Sequence, residues 1–364
     1  MEKVDVAVIG AGLAGLTCAQ QLRQAGYQVV VLEKSRGLGG RAATRRLLNT
    51  CADHGLRYLD SQGARSQFLI DRLLSTGDIA LWTESTHTLS ASGQLSVDSD
   101  RHPRYVAPDG MSTIAKALAI HLDVRRNHRV VAITPAPEGW KFAVESDPAV
   151  ASPIVARSLV IAIPAPQALT LLEPLTNSAE LDSTKLGFTE LEKMRVKLRS
   201  VQFDPCVTAI AAYPVTRLAD SQSLEWKALT LENDPILKWI GRDSSKRPDA
   251  SQPVFVLHST ATFAKQQFDA PVLQAVGQQM LDRAAQKSAP WLNEVERLQV
   301  HRWRYAFVSQ SLSESCLVSQ TPQPIVCCGE WCGEWCSGQQ VEAALESGAA
   351  AATHLENVLK RSAT

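Results

Sequence analysis

An α/β protein is predicted, with one lobe built on a parallel sheet covered on both faces and a second, interleaved α+β lobe containing a mixed or antiparallel sheet. Three observations predict it. Residues 4–33 read strand, glycine turn, helix, strand; apolar runs of strand length return at 158–163 and 324–328; and 80–105 breaks into short Thr- and Ser-rich stretches between turn signals.

The elements follow in chain order. A strand at 4–9 leads through the glycine turn 10–15 into a helix at 16–25 and a second strand at 27–33, one βαβ unit whose continuous apolar strands suit a parallel sheet. Residues 80–105, with turns at 91–93 and 101–103, open the second lobe as antiparallel strands. A helix at 111–122, strands at 129–133 and 140–145 around the turn 137–139, and a buried strand at 158–163 stopped by Pro164 return the chain to the first lobe. Strands at 206–212, 226–231 and 254–259 and a helix at 272–287 belong to the second lobe, and the chain closes with a strand at 324–328, a Gly/Glu/Trp/Cys loop and a small-residue helix from about 341 to 359. The first lobe is therefore expected to comprise 1–75, 106–165 and 296–364, and the second 76–105 and 166–295.

Composition narrows the function classes. Hydrophobic residues make up 45% and charged residues 20%, as in an ordinary globular chain. Lys plus Arg and Asp plus Glu both total 37, so no net field recruits nucleic acid or an anionic membrane surface. The longest apolar stretch, 159–172, is broken by Pro164 and Pro166, and residues 1–9 enter a strand without a secretory segment; a cytoplasmic protein is expected. Four of the eight cysteines, Cys327, Cys328, Cys332 and Cys336, crowd together in a pattern unlike a disulfide framework. They raise zinc or an iron-sulfur cluster as a rival reading, which the unfamiliar spacing and the opposed faces of adjacent strand residues oppose, so no metal is expected.

Chemistry begins at the glycine turn. Gly10, Gly12 and Gly15, with Leu13 and Ala14 between the last two, sit directly between strand and helix, where glycines serve a tight turn, close backbone approach to a pyrophosphate and helix packing. Glu33 ends the second strand 18 residues after Gly15, in place to accept hydrogen bonds from ribose hydroxyls. A ligand-free turn is the bland alternative. Lys34 and a second glycine loop follow, with Gly39 and Gly40 letting the backbone pass near a ligand and Arg41 supplying a cation. Arg45 and Arg46 read equally as solvated charge or as phosphate neighbours.

The Gly39-Gly40-Arg41 continuation resembles that of the FAD-binding amine oxidase, phytoene desaturase and protoporphyrinogen oxidase group, in which the arginine reaches the FAD pyrophosphate; the resemblance implies FAD and a glutathione-reductase-type Rossmann lobe with p-hydroxybenzoate hydroxylase-like topology. The segment Asp53, His54, Gly55, Leu56, Arg57, Tyr58 is similar to the one that runs beneath the flavin in that group. His54 and Arg57 become candidate catalytic or orienting residues, against surface or structural roles. Segments 104–111, 239–246 and 301–306 resemble the renalase-like flavoenzymes, and 341–348 looks like the helix whose first amides, at Val341 and Glu342, face the flavin pyrimidine. By the same resemblance Val130 meets the adenine through its backbone. Gly329-Glu330 and Gly333-Glu334 both match the motif that holds the ribityl chain, and strand-end geometry favours Glu330.

What this resemblance implies is an FAD-dependent oxidase that passes hydride from a small substrate to the flavin and then to O2, giving hydrogen peroxide. Renalase-like oxidation of misreduced 2- or 6-dihydro NAD(P)H isomers to NAD(P)+ is the leading expectation, because such a substrate needs no strong base and none is evident. Oxidation of a small amine and a non-catalytic flavin-binding scaffold are the alternatives. Trp303, Tyr305, Trp331 and Trp335 are candidates to line the pocket by stacking on a nicotinamide, with core packing as the plain alternative. A monomer or homodimer is expected; covalent attachment of the flavin stays open.

Overall fold

The computed structural model describes residues 2–47, 49–146, 154–177, 185–333 and 339–361. Its first lobe centres on an eight-stranded sheet. Asp123–Arg126, Val29–Glu33, Glu2–Ile9, Ile154–Ile161 and Ile325–Cys327 lie side by side in parallel. His128–Ala136 and Gly139–Ser146 extend it as an antiparallel meander, and Leu317–Ser319 borders the last parallel strand. The pleat sends alternate residues to opposite cores. Val6, Val8, Val29 and Val31 join one cluster, while Ala7, Ile9, Val30 and Leu32 join the other, which is why these strands are apolar throughout.

Helix Leu13–Gln24 covers one face and packs on the C-terminal helix Gln340–Arg361. The approach is close enough that a Cβ on Gly348 would lie 2.2 Å from the Ala14 carbonyl oxygen. The expected helix at 111–122 is shorter, Ser112–Leu118, and the helix Ala64–Ser75 lies where no element was predicted.

The second lobe is a seven-stranded mixed sheet in the order Arg297–Gln310, Gln202–Ala212, Val254–Ser259, Leu237–Arg242, Ala228–Leu231, His87–Leu89, Leu95–Val97. Only the Ala228–Leu231/His87–Leu89 pair is parallel. One face, with Val207, Ala209, Phe255 and Leu257, packs on helix Leu273–Lys287; the other, with Ile210, Val254, Val256 and Trp239, shares a core with the first lobe. Arg297–Gln310 corrects the expected boundary at 296, because it is an edge strand of this second sheet, paired with Gln202–Ala212. It docks because Gly277 has no side chain: a Cβ there would sit 2.4 Å from Val300 Cγ2.

Candidate active site

The three glycines of the first turn do separate work. Gly10 has φ +105°, and a Cβ on it would lie 2.6 Å from the Ala162 carbonyl oxygen; a Cβ on Gly15 would lie 2.1 Å from the Gly10 carbonyl oxygen. These two serve the turn and the packing of Leu13–Gln24. Gly12 has nothing within 4 Å of its would-be Cβ, so its bareness serves no protein contact and leaves room for a ligand at a helix N-terminus without a side-chain cap. Leu13 and Ala14, buried, supply the first helical amides.

Glu33 is buried, with Oε2 accepting from Ala11 N at 2.8 Å and Oε1 from Ser35 N at 2.8 Å. Each oxygen keeps a lone pair for a ribose hydroxyl. Lys34 is exposed on the rim of a groove of about 530 Å³ shared with Arg36, Asn127, Arg129 and Glu145, and the buried Val130 follows on the same strand. Gly39 N donates to the Ala11 carbonyl at 2.8 Å, which lays the second glycine loop, with Gly40 exposed, against the first. Arg41 pairs with Glu330 and also donates to the Tyr305 carbonyl at 3.2 Å. Glu330 Oε1 is buried without a hydrogen-bond partner, a cost that a ligand hydroxyl would relieve. Glu33, bare Gly12 and this orphaned oxygen together fit an adenosine diphosphate cofactor carrying a polyol.

The segment 53–58 is laid on that loop. Leu56 N donates to the Arg41 carbonyl at 2.8 Å, and a Cβ on Gly55 would lie 1.9 Å from that oxygen, so only glycine fits. Facing it is one side of the second sheet. In Arg297–Gln310 the two-residue period puts His301 and Trp303 on a common face, and the registers Thr208↔His301, Thr208↔His258 and Trp239↔His258 extend a single row across four strands. Trp303 Nε1 donates to the His54 carbonyl at 3.0 Å. Ring centroids lie 5.2 Å apart for His54 and Trp303, 5.1 Å for His54 and His301, and 4.4 Å for His301 and Trp303. Burial, then His301 and Arg45, push the His54 imidazole down to about 4. Burial lowers His301, and burial with the Arg57 and Lys246 cations holds His258 well below the ordinary histidine range. These imidazoles are neutral near pH 7. Arg57 Nε donates to His258 Nδ1 at 3.2 Å, and its guanidinium lies 4.7 Å over the Trp239 ring.

Several predicted site residues have other work. The Asp53 carboxylate, expected at the cofactor, is wholly buried among protein partners: Lys246 Nζ at 3.2 Å, Arg247 at 3.2 Å, Thr44 Oγ1 at 2.7 Å and Met111 N at 2.8 Å. Asp243 completes the group, 2.8 Å from Lys246 and 2.6 Å from Arg247. Two cations balance two anions, and the Asp53 carboxyl stays below its usual range against the pull of burial because those cations face it. Glu342, expected at the cofactor through its backbone amide, uses its side chain to cap helix Ala64–Ser75, accepting from Arg65 N at 3.0 Å and Ser66 N at 2.6 Å. Val341 is buried in the first lobe's core. Trp331 is core, donating to the Ile163 carbonyl at 3.2 Å and blocking any side chain on Gly329. Tyr305 packs on Phe203 at 5.4 Å beside Arg41, away from the His54 cluster.

Cys327 and Cys328 enter opposite cores, Cys332 is buried beside Cys327's core, and no group of three or more His, Cys, Asp or Glu among the described residues is arranged to hold a metal. Glu334, Trp335 and Cys336 lie outside the described residues. Among the described residues no helix is long and apolar enough to cross a membrane. The sequence reading missed His258, Trp239, Asp243, Lys246 and Arg247 as site or support residues; the alternation in Val254–Ser259, which places His258 on the same face as Val254 and Val256, was the available signal.

Residues 58–355 match the family of flavin containing amine oxidoreductases, and residues 8–73 match the NAD(P)-binding Rossmann-like domain. A putative flavin-containing monoamine oxidase of Mycobacterium tuberculosis is 46% identical over 56 residues, which is 15% of this chain and 12% of that protein. Human all-trans-retinol 13,14-reductase is 36% identical over 74 residues, 20% of this chain and 12% of that one. The likeness to these curated relatives thus spans about an eighth of their length. In fold, wild-type putrescine oxidase bound to putrescine aligns with TM-score 0.71 at 13% identity, covering 98% of this chain and 99% of the other. Cyclohexylamine oxidase from Brevibacterium oxydans aligns at 0.70 and 12%, covering 98% and 99%.

Proposed function

The chain belongs to the flavin-containing amine oxidoreductase family, and from that premise we propose that it is an FAD-dependent oxidase of misreduced dihydronicotinamides, returning 2- or 6-dihydro NAD(P)H isomers to NAD(P)+. Its cofactor is FAD. The proposed cofactor contacts are the Gly10–Gly15 turn and helix amides for the pyrophosphate, with Arg41; Glu33 for the adenosine ribose; Val130 for the adenine; and Glu330, by its orphaned oxygen, for the ribityl chain. When bound, the flavin accepts a hydride and is reoxidised by O2 to give hydrogen peroxide. This arrangement is proposed as a glutathione-reductase-type lobe with p-hydroxybenzoate hydroxylase-like interleaving.

The observation that carries the substrate is the charge of the site. His54, His301 and His258 are neutral, Arg57 and Arg45 stand close by, and the Asp53 and Asp243 carboxylates are neutralised by Lys246 and Arg247. Among the described residues an ammonium substrate would meet cations, and carboxylates only in pairs with Lys246, Arg247 or Arg41, whereas a phosphate-bearing dinucleotide is drawn in. Imidazoles whose proton affinity is this far depressed are weak bases, and a dihydronicotinamide needs none: the lone pair on its own ring nitrogen expels the hydride and aromaticity is gained. His54 and Trp303, whose rings already touch each other at 5.2 Å between centroids, then offer the ring an adjoining aromatic surface to stack on. The seven described cysteines are unpaired, which supports a reducing, cytoplasmic setting.

Small-amine oxidation is the second reading, favoured by the family match. Anaerobic mixing with borohydride-treated NAD(P)+ tests both. Rapid bleaching of the flavin by those isomers and not by an aryl or alkyl amine is expected; bleaching by amine alone would replace the proposal with amine oxidation, and bleaching by neither would leave a flavin-binding scaffold.

A further inference from the structure

Arg57 is a half-buried cation with no carboxylate beside it among the described residues. Its Nε–H is spent on His258 Nδ1, and its flat face rests on Trp239. The two terminal nitrogens have no protein partner among the described residues. Because His258 accepts at Nδ1, it is fixed as the neutral imidazole, and protonating it would set a second buried cation against the first. His258 and Trp239 are themselves held in register on adjacent strands, with ring centroids 5.1 Å apart. A guanidinium clamped along one edge and one face presents its remaining fork in a fixed direction, the arrangement that pairs with a planar oxygen acceptor. Leaving its terminal nitrogens unpaired costs stability, since burial opposes its charge and, among the described residues, no carboxylate offsets it.

We infer that Arg57, positioned by His258 and Trp239, is the specificity-determining residue of the site and binds a planar carbonyl group on the substrate, a carboxamide or a carboxylate, while disfavouring an ammonium. The inference rests on the site proposed above but not on the identity of the oxidised ring. The carboxamide of a dihydronicotinamide and the carboxylate of a small aromatic acid share this chemistry, so the two are tested separately.

The oxidised, FAD-loaded protein is titrated with benzamide, benzoate and benzylamine while the flavin absorbance is followed. Benzamide and benzoate are expected to bind, and benzylamine at least about 10-fold more weakly. Arg57→Gln should lose roughly 10- to 100-fold in benzoate affinity and leave benzylamine unchanged or tighter. Arg57→Lys, which keeps the charge and loses the fork, should fall between. His258→Phe should weaken benzoate a few-fold with the flavin still bound, the mark of a positioning residue. Wild-type protein that binds neither benzamide nor benzoate, or Arg57→Gln with undiminished benzoate affinity, overturns the inference. Failure of dihydronicotinamides to bleach the flavin while the benzoate preference holds removes only the proposed substrate.

Discussion

Replacing Lys246 by Met removes one cation from a buried group of four and leaves Asp53 and Asp243 facing Arg247 alone. The ammonium lies 3.2 Å from Asp53 Oδ2 and 2.8 Å from Asp243 Oδ1. At an effective dielectric constant of ~20, each contact is worth roughly 5 to 6 kcal/mol. Dehydrating the ammonium and its repulsion from Arg247 offset much of this, so the net loss expected for one missing partner is about 3 to 5 kcal/mol. With an unfolding entropy of about 2.1 cal/mol/K per residue over 364 residues, that is a fall in Tm of about 4 to 7 °C. Scanning calorimetry on FAD-loaded and FAD-stripped protein measures it. The double replacement Lys246→Met with Asp243→Asn restores charge balance and should cost less than the single one. A single-variant shift under about 1 °C, or a double variant that loses the sum of both singles, would refute the reasoning.

Gly12→Ala should cost FAD affinity with the unfolding midpoint of the FAD-stripped protein unchanged, whereas Gly15→Ala should lower that midpoint itself, because only Gly15 is crowded by protein; isothermal titration and urea melts separate the two. Glu330→Gln should weaken FAD by roughly 10-fold, read from flavin fluorescence on dilution, because it loses the charge beside Arg41. Between pH 6.5 and about 4 the unfolded chain takes up a proton at His54 that the folded protein refuses, so stability should fall as pH falls through that window. The His54 contribution is at most about 3 kcal/mol, and His54→Phe should flatten the pH profile of the urea midpoint there while leaving it unaltered at pH 8.

The parallel sheet was legible because doubly covered strands are apolar at every position, a signal that survives without any tertiary knowledge; Val6 to Ile9 and Val29 to Leu32 carry it. Arg297–Gln310 was not, since its faces meet different surroundings and its charged residues obscure the alternation; its membership of the second sheet depends on Gly277, 20 residues earlier at least. The cofactor turn could be read from spacing because glycine roles are local. The work of the Asp53 and Glu342 side chains was hidden for the opposite reason. Their carboxylates are satisfied by Lys246 and Arg247 in one case and by the amides of Arg65 and Ser66 in the other, partners at sequence distances that no local pattern reports.

The seat of Gly348 against Ala14, together with the Glu342 cap on helix Ala64–Ser75, sets an order on biosynthesis. As the chain leaves the ribosome, residues 13–75 emerge with one helix uncovered and another uncapped, and the elements that complete them, at 340–361, are made nearly 300 residues later. The nucleotide turn is thus among the first parts synthesised and among the last to be finished. Completion of the nucleotide site therefore waits on the C-terminal helix, and until then the apolar face of Leu13–Gln24 lacks its partner.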